Sequence, residues 1–175
     1  MTKTLSGKSP PSVAGRVNAS PEWCFGLRNT YDVTFEPTTG GLFGVENGPN
    51  NDDELNFLQA GKDYGWPFPP AGGPGVGIRV QHWAEVIAPT GLAFTLPATL
   101  GGDFPSNVFV TGYVDADLRR IALSGPQLLD VDLEAPFAAW SGIGFQNKPL
   151  AITTGPAGTL YVSTFDAIYR FRKAP

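Results

Sequence analysis

The sequence predicts an all-β protein of the β-propeller class, built from three four-stranded blades. The chain of 175 residues contains 22 glycines and 17 prolines, and its short apolar runs are bounded by Gly, Pro, Asn and Asp. No window shows a sustained helical periodicity, so long helices are not expected. Similar segments recur around Pro37, Pro97 and Pro156, which are 60 and then 59 residues apart. A four-stranded unit repeated at a fixed period is typical of propeller blades.

Each repeat contains the same succession of predicted strands, with β-branched and aromatic residues in the strands and Gly or Asn in the turns. The predicted strands, taken repeat by repeat, are 32–37, 41–45, 54–58 and 81–86; 92–97, 107–111, 118–123 and 128–133; 151–156, 159–163 and 167–172. The blades therefore span about residues 30–88, 89–148 and 149–175. A β-sandwich or a simple meander is the alternative.

Three blades form only a half-propeller, because propellers close with about four to eight blades. An open fan would expose strand edges and apolar blade faces, which favours aggregation. We therefore expect a homodimer that closes a six-bladed ring. Residues 1–20 form an N-terminal segment ahead of the three-blade unit at 21–175. Within that segment, Ser12–Asn18 is predicted to add a strand to the partner's third blade.

Three glycine-containing motifs lie in the first repeat and its approach. They are Gly26-Leu27-Arg28-Asn29, the run ENGPNNDDELN from Glu46 to Asn56, and Gly61-Lys62-Asp63-Tyr64-Gly65-Trp66-Pro67. Together they resemble one blade of the soluble glucose/sorbosone dehydrogenases, six-bladed quinoproteins that use calcium and pyrroloquinoline quinone. The chain has room for the C-terminal half of such a propeller.

The resemblance implies a calcium site at Gly48 and Pro49, whose main-chain carbonyls would bind the ion. Calcium takes six to eight oxygen ligands. Asp52 and Asp53 add carboxylates beside the pair, and we include both in the predicted metal site. The alternative for the same residues is a polar hairpin loop with solvated carboxylates.

The resemblance also implies quinone contacts at Arg28 and Asn29. The guanidinium of Arg28 would bind a carboxylate with two nitrogens, which suits a tricarboxylate quinone. The structural alternative has Asn29 capping a turn and Arg28 paired with an acid of a neighbouring blade.

The sequence departs from the family at the residues that would carry catalysis, so we assign no catalytic residue. The family's base is a histidine in an early blade that this half does not include. The sole histidine, His82, falls in a predicted outer strand and is expected to have a structural role. The family's lysine in the next blade is replaced within 111–115, and its paired arginines are replaced at 146–149. A bound quinone would therefore lack most of its counter-charges.

These observations predict a non-catalytic propeller module related to quinoprotein sugar dehydrogenases. It would bind calcium or a small polar or carbohydrate ligand near the central axis, with candidate contacts at Trp66, Trp83, Tyr113 and Trp140. One alternative is a calcium- and quinone-dependent sugar dehydrogenase assembled from two half-propellers. Another is a structural remnant without a ligand.

Charge and hydropathy exclude other classes of function. A formal charge of -4 and a pI near 4.9 argue against a nucleic-acid partner, which needs a basic face. No apolar stretch reaches the roughly 20 residues of a membrane span, and residues 1–8 lack the apolar core of a signal peptide. As written, the chain is expected to be soluble and cytoplasmic, although the family it resembles is commonly exported. Cys24 is the single cysteine, so an intrachain disulfide is excluded.

Overall fold

The computed structural model describes residues 23–68, 72, 73, 75–96, 99–141, 143 and 147–174. Within these residues the chain forms three antiparallel sheets. The strands are β1 (Thr30–Phe35), β2 (Leu42–Glu46), β3 (Asp53–Leu58), β4 (Ile78–Trp83), β5 (Pro89–Phe94), β6 (Asn107–Gly112), β7 (Asp117–Ser124), β8 (Asp130–Pro136), β9 (Ala151–Gly155), β10 (Thr159–Ser163) and β11 (Ile168–Phe171). Helical structure among the described residues is limited to α1 (Ala138–Ser141) and two 3-10 segments, Thr99–Gly102 and Pro156–Gly158.

Each sheet is a meander in which consecutive strands are neighbours. Blade 1 has the order β1-β2-β3-β4, blade 2 has β5-β6-β7-β8, and blade 3 has β9-β10-β11. The predicted all-β class and the succession of strands within each repeat are confirmed. The outer strands β4 and β8 differ by a few residues from the predicted 81–86 and 128–133. The segment Ser12–Asn18 lies outside the described residues, and closure of a ring by a second chain stays a prediction.

The strand alternation of blade 2 supplies two separate hydrophobic cores, because successive side chains of a strand point to opposite faces. On β6, Val108 and Val110 pack in a core shared with blade 1, whereas Phe109 packs in a core shared with blade 3. In the first core, the ring of Phe43 meets that of Phe94 edge-on, with centroids 4.9 Å apart. Blade 2 is thus covered on both faces.

Polar contacts between blades join strands of equivalent position. The carboxylate of Asp32 on β1 accepts a hydrogen bond from the backbone N–H of Leu92 on β5 at 3.1 Å. At the outer edge, the indole N–H of Trp83 on β4 donates to Glu134 on β8. First strands therefore face first strands, and fourth strands face fourth strands.

Asp53, the first residue of β3, ties blade 1 to the start of blade 2. Its buried carboxylate accepts three backbone hydrogen bonds, each 2.8 Å long, from the N–H groups of Gly48, Ile87 and Ala88. Ala88, in the connection from blade 1 to β5, has a positive φ of 50°.

Replacing Asp53 with Ala should reduce the free energy of unfolding by about 3 kcal/mol, because three N–H groups lose their acceptor in a buried setting. Urea denaturation measures the change. The control is Glu85→Ala on the same connection, which is exposed and should change stability by less than about 0.5 kcal/mol. A loss below about 1 kcal/mol for Asp53→Ala would contradict this role.

Candidate functional site

The loop between β2 and β3 carries the predicted metal residues, and its tight path requires glycine at position 48. A Cβ placed on Gly48 would lie 1.8 Å from the carbonyl oxygen of Asn51. Asp52 follows with a positive φ of 63°. The loop therefore folds back on itself directly before β3.

Arg28 is bound to this loop by its side chain. Its Nη1 donates to the carbonyl oxygens of Asn47 and Gly48, each at 2.9 Å. The guanidinium also lies 5.3 Å from the ring centroid of Trp66, a cation–π distance. The backbone N–H of Arg28 donates to the carboxylate of Glu46. Arg28 thus holds the loop through two of its carbonyl oxygens. The alternative, an ion pair between Arg28 and an acid of a neighbouring blade, is not seen among the described residues.

Asn29 contributes through its main chain. Its carbonyl oxygen accepts from the N–H of Asn47 at 3.1 Å, and its side chain is exposed. The predicted quinone contact at Asn29 stays a prediction.

Three of the four predicted metal residues, Gly48, Asp52 and Asp53, contact different partners in this structure. The Gly48 oxygen accepts from Arg28, and Asp53 is engaged by backbone N–H groups. Asp52 lies 3.1 Å from Arg79 and 3.9 Å from the Nε2 of His82, which is on the outer strand as predicted. Within the part of the chain that the structure describes, no three His, Cys, Asp or Glu side chains are grouped to share a metal ion. Carbonyl ligation by Gly48 and Pro49 stays a prediction.

A cavity of about 450 Å³ opens beside this loop. Its lining belongs entirely to blade 1 and the segments that flank it: Arg28, Glu46, Gly48, Pro49, Asp52, Glu54, Asn56, Tyr64, Gly65, Trp66, Val76, Gly77 and Arg79. The cavity collects three of the predicted metal residues and Arg28, but neither Asn29 nor Asp53. It lies on the face of blade 1 that is turned away from blade 2.

Two buried oxygens in this cavity lack a hydrogen-bond partner among the described residues. They are Glu46 Oε2 and Asn56 Oδ1, on side chains that are 7% and 1% exposed. Glu54, paired with Glu46 in the strand register, accepts from Asn56 Nδ2 at 2.9 Å and from Arg79 at 2.8 Å. Buried acceptors without donors are costly, so these two atoms mark the part of the cavity wall where a hydrogen-bond donor is missing.

Burial and charge shift two titrating groups of the cavity. Burial raises the pKa of Glu46, the hydrogen bond from the Arg28 N–H lowers it in part, and the charge of Glu54 raises it further. Burial also raises the pKa of Tyr64 to about 12. Its hydroxyl donates to the carbonyl of Phe57 and accepts from the N–H of Gln59. Tyr64 is therefore a neutral packing group at the cavity wall.

Glu46 and Asn56 were not predicted as site residues. The available signals were Glu46 at the end of the otherwise apolar β2 and Asn56 between the apolar Leu55 and Phe57 of β3. Trp83 and Trp140, expected as ligand contacts, are 7% and 2% exposed and pack in the two cores. That expectation is wrong for both residues, because a buried indole presents no face to a ligand.

Tyr113, another predicted ligand contact, lies directly after β6 in blade 2. Lys148 Nζ is 4.4 Å from the ring centroid of Tyr113, and the ring of Tyr113 also meets that of Phe165. Neither Tyr113 nor Lys148 lines the cavity beside Gly48. In the described residues, no helix is long and apolar enough to cross a membrane.

The known proteins to which this chain is similar belong to one family. A family model described as Glucose / Sorbosone dehydrogenase matches residues 6–170. The aldose sugar dehydrogenase YliI of Escherichia coli is 27% identical over 157 residues, which cover 81% of this chain and 40% of the relative. Quinoprotein glucose dehydrogenase B of Acinetobacter calcoaceticus is 43% identical over 60 residues, covering 34% of this chain and 12% of its own.

Solved structures show the same architecture. A crystal structure of a glucose dehydrogenase superposes with a TM-score of 0.70 at 25% identity, covering 95% of this chain and 51% of the other. The chain therefore spans about half of that propeller, and about two fifths of the Escherichia coli relative. The three sheets are blades of a propeller-type fold rather than layers of a sandwich.

Replacing Glu46 with Gln should make thermal stability less sensitive to pH. Because the pKa of Glu46 is raised in the folded chain, its contribution to stability is present below its ordinary value of 4.5 and is lost as pH rises through the folded value. The Gln variant should therefore melt about 2 °C above the wild type at pH 7.5, and the gap should close as pH falls toward 4.5.

Glu36→Gln is the control, because its expected change in melting temperature at pH 7.5 has the opposite sign. Burial pushes the pKa of Glu36 up, but hydrogen bonds from Thr39 and Thr38 outweigh it and lower the pKa. This contribution is present above the ordinary value and is lost as pH falls through the folded pKa. Glu36→Gln should thus melt below the wild type at pH 7.5. Parallel melting curves for wild type and Glu46→Gln from pH 4.5 to 7.5 would contradict the assignment for Glu46.

Proposed function

Because the chain belongs to the glucose/sorbosone dehydrogenase family, we propose that it is a non-catalytic binding module derived from that propeller. Its ligand is a small polyhydroxylated molecule of the carbohydrate class, bound in the cavity on blade 1. The observation that carries this proposal is the pair of unpartnered buried oxygens, Glu46 Oε2 and Asn56 Oδ1. Sugar hydroxyls are donors of the kind that these two acceptors lack.

Three features of the cavity support a carbohydrate. Its volume of about 450 Å³ is in the range of small-molecule sites, which span about 300–1,000 Å³. Trp66 lines it and remains 44% exposed, so part of an apolar ring is available beside polar groups. Arg79 and Glu54 pair with each other at 2.8 Å, which sets a donor and an acceptor at fixed positions on the wall.

Calcium is the second candidate for the same cavity. The acceptors there are carboxylate, amide and carbonyl oxygens from Glu46, Glu54, Asn56 and the Gly48–Pro49 pair, and hard cations prefer such ligands. The donor set therefore fits a calcium ion. At Gly48 itself the Arg28 guanidinium already donates to the carbonyl oxygen, so an ion bound there would require that side chain to move.

The described residues do not fit a tricarboxylate quinone, and we derive no redox step for this chain. Arg28 is engaged by two carbonyl oxygens. Lys148, which stands in the segment that replaces the family's arginines, lies over the ring of Tyr113. His82 projects from the outer strand toward Asp52. These contacts support a module that binds without oxidising its ligand.

We also propose that two chains pair to complete a six-bladed ring. Support comes from the family's propeller fold, of which this chain spans about half, and from the face of blade 3 opposite blade 2, where Ile168 and Arg170 are exposed. Closed point symmetry of this kind is the usual form of a homo-oligomer.

Calorimetric titration of the purified, chelator-treated chain with neutral aldoses and polyols should detect at least one ligand. Trp66→Ala should weaken its binding about tenfold, which corresponds to about 1.4 kcal/mol, because the variant removes a partly exposed ring from the cavity wall. Phe165→Ala is the matched control, since Phe165 is an exposed aromatic residue of blade 3.

Calcium is titrated in the same way, and a rise in Tm that is lost in Glu46→Gln would favour the second candidate, because a ligand that binds the native state raises its stability. Absence of binding by every aldose and polyol would contradict the carbohydrate proposal. Equal affinities of the wild type and Trp66→Ala would place the ligand elsewhere.

Purified chain supplied with calcium and pyrroloquinoline quinone should not reduce an artificial electron acceptor when glucose or other aldoses are added. The reason is that no histidine is among the described residues that line the cavity, and general-base catalysis contributes about 10²–10⁴-fold. The Escherichia coli aldose sugar dehydrogenase serves as the positive control. Turnover above the no-protein rate that disappears in Arg28→Ala would refute the non-catalytic assignment.

A further inference from the structure

Glu46 carries a buried carboxyl group that has no cationic partner among the described residues. Its side chain is 7% exposed. One oxygen, Oε1, accepts from the backbone N–H of Arg28, and the other, Oε2, has no hydrogen-bond partner. None of the ion pairs found in the described part of the chain includes Glu46. Buried carboxylates are normally paired with a cation, because burial removes the water that stabilises their charge.

The two guanidiniums that line the cavity are bound to other groups. Arg79 pairs with Asp52 at 3.1 Å and with Glu54 at 2.8 Å. Arg28 directs its Nη1 to two carbonyl oxygens of the β2–β3 loop, each at 2.9 Å. The lining thus sets three carboxylates, those of Glu46, Asp52 and Glu54, against two guanidiniums. The surplus negative charge belongs to the carboxylate without an ion pair, Glu46.

Asn56 provides a second acceptor beside Glu46. Its Nδ2 donates to Glu54 at 2.9 Å, whereas its Oδ1 is unpartnered. In the register of β2 and β3, Glu46 is opposite Glu54, and Asn56 is two residues further along β3. Such diagonal neighbours lie on one face of the sheet with their Cα atoms about 7–8 Å apart. A single charged donor group can therefore meet both Oε2 of Glu46 and Oδ1 of Asn56.

The cavity has a buried floor and an exposed rim. The floor is formed by Glu46 and Asn56, which are 7% and 1% exposed. At the rim, Trp66 is 44% exposed, and the side chains of Arg79 and Asp52 are 47% and 46% exposed. A ligand that binds here would place its charged donor at the floor. Its uncharged part would lie at the rim, beside the ring of Trp66.

An ammonium group matches the floor more closely than a metal ion does. An ammonium has three N–H donors and no acceptor, and ordinary amines are protonated at neutral pH. Calcium takes six to eight oxygen ligands, whereas the floor offers two unpartnered oxygens. In the described residues, no three acidic, histidine or cysteine side chains are grouped to hold a metal ion.

We propose that the ligand of the blade 1 cavity is an amino sugar, whose protonated amine binds between Glu46 Oε2 and Asn56 Oδ1 and whose ring lies beside Trp66. This inference rests on the proposed binding of a small polyhydroxylated molecule in this cavity. It adds the charge of the ligand and the direction in which the ligand enters. A neutral sugar of the same size binds less tightly, because it leaves Glu46 without a cation.

Calorimetric titration of the full chain, in chelator at neutral pH, tests the charge of the ligand. The probes are glucosamine, glucose and N-acetylglucosamine, which share one ring, but only glucosamine carries an ammonium group. The dissociation constant for glucosamine should be at least tenfold lower than that for glucose. N-acetylglucosamine should bind no more tightly than glucose. This comparison needs only the wild type, so it does not depend on the folding of a variant.

Glu46→Gln tests the position of the amine. The variant keeps the shape of the side chain and removes its charge, so the preference for glucosamine over glucose should fall below about threefold. Glu85→Gln is the matched control, because Glu85 is an exposed acid outside the cavity lining, and it should keep the full preference. Circular dichroism checks that both variants are folded.

The outcomes separate this inference from the proposed function. Equal dissociation constants for glucosamine and glucose would overturn the amino sugar and leave a neutral carbohydrate as the ligand. A preference for glucosamine that Glu46→Gln retains would overturn the position assigned to the amine. Ethylamine has no hydroxyl groups, so if it binds as tightly as glucosamine, the carbohydrate class itself is wrong. Failure of all three sugars to bind would overturn the proposed function and this inference with it.

Discussion

Every blade of this fold has two faces, and strand alternation places apolar side chains on both, so each blade needs a neighbour on each side. Blade 2 meets this requirement within the described residues: Val108 and Val110 pack toward blade 1, and Phe109 packs toward blade 3. Blades 1 and 3 each turn one face to blade 2, and on the opposite face of blade 1 Asn56 and Leu58 are also buried. The cavity lies on that opposite face of blade 1, between the blade and the segments that flank it.

Polar groups at the strand ends set the relative position of the blades that the cores hold together. Asp53 accepts three backbone hydrogen bonds that join the β2–β3 loop to the start of blade 2. Glu134 on blade 2 accepts from Trp83 of blade 1 and from Arg119 of its own blade. Charge-assisted hydrogen bonds to backbone N–H groups are stronger than neutral ones. Asp53, which was predicted as a metal ligand, therefore has an architectural role at the end of the β2–β3 loop.

The candidate site departs from the rest of the fold in its polar groups. Glu46 and Glu54 are paired in register on neighbouring strands, where like charges oppose each other. Arg79 and the Arg28 N–H compensate in part, and two buried oxygens are left without partners. Local violations of good packing are expected at functional sites. This is the physical reason to place a ligand here and not at the core-facing tryptophans.

The all-β class, the period of about 60 residues, the strands of each blade and the polar loop at Gly48 follow from the amino-acid sequence alone, because turn residues and strand alternation are local properties of the chain. The family also follows from the sequence, through motifs confined to one blade. The contacts of those residues depend on the tertiary structure. Asp53 meets Ile87, 34 positions away, and Asp32 meets Leu92, 60 positions away, and neither contact follows from a local pattern. Likewise, Trp140 is buried and Glu46 is left with an unpartnered oxygen because of how blades and loops pack, which depends on residues distant in the chain.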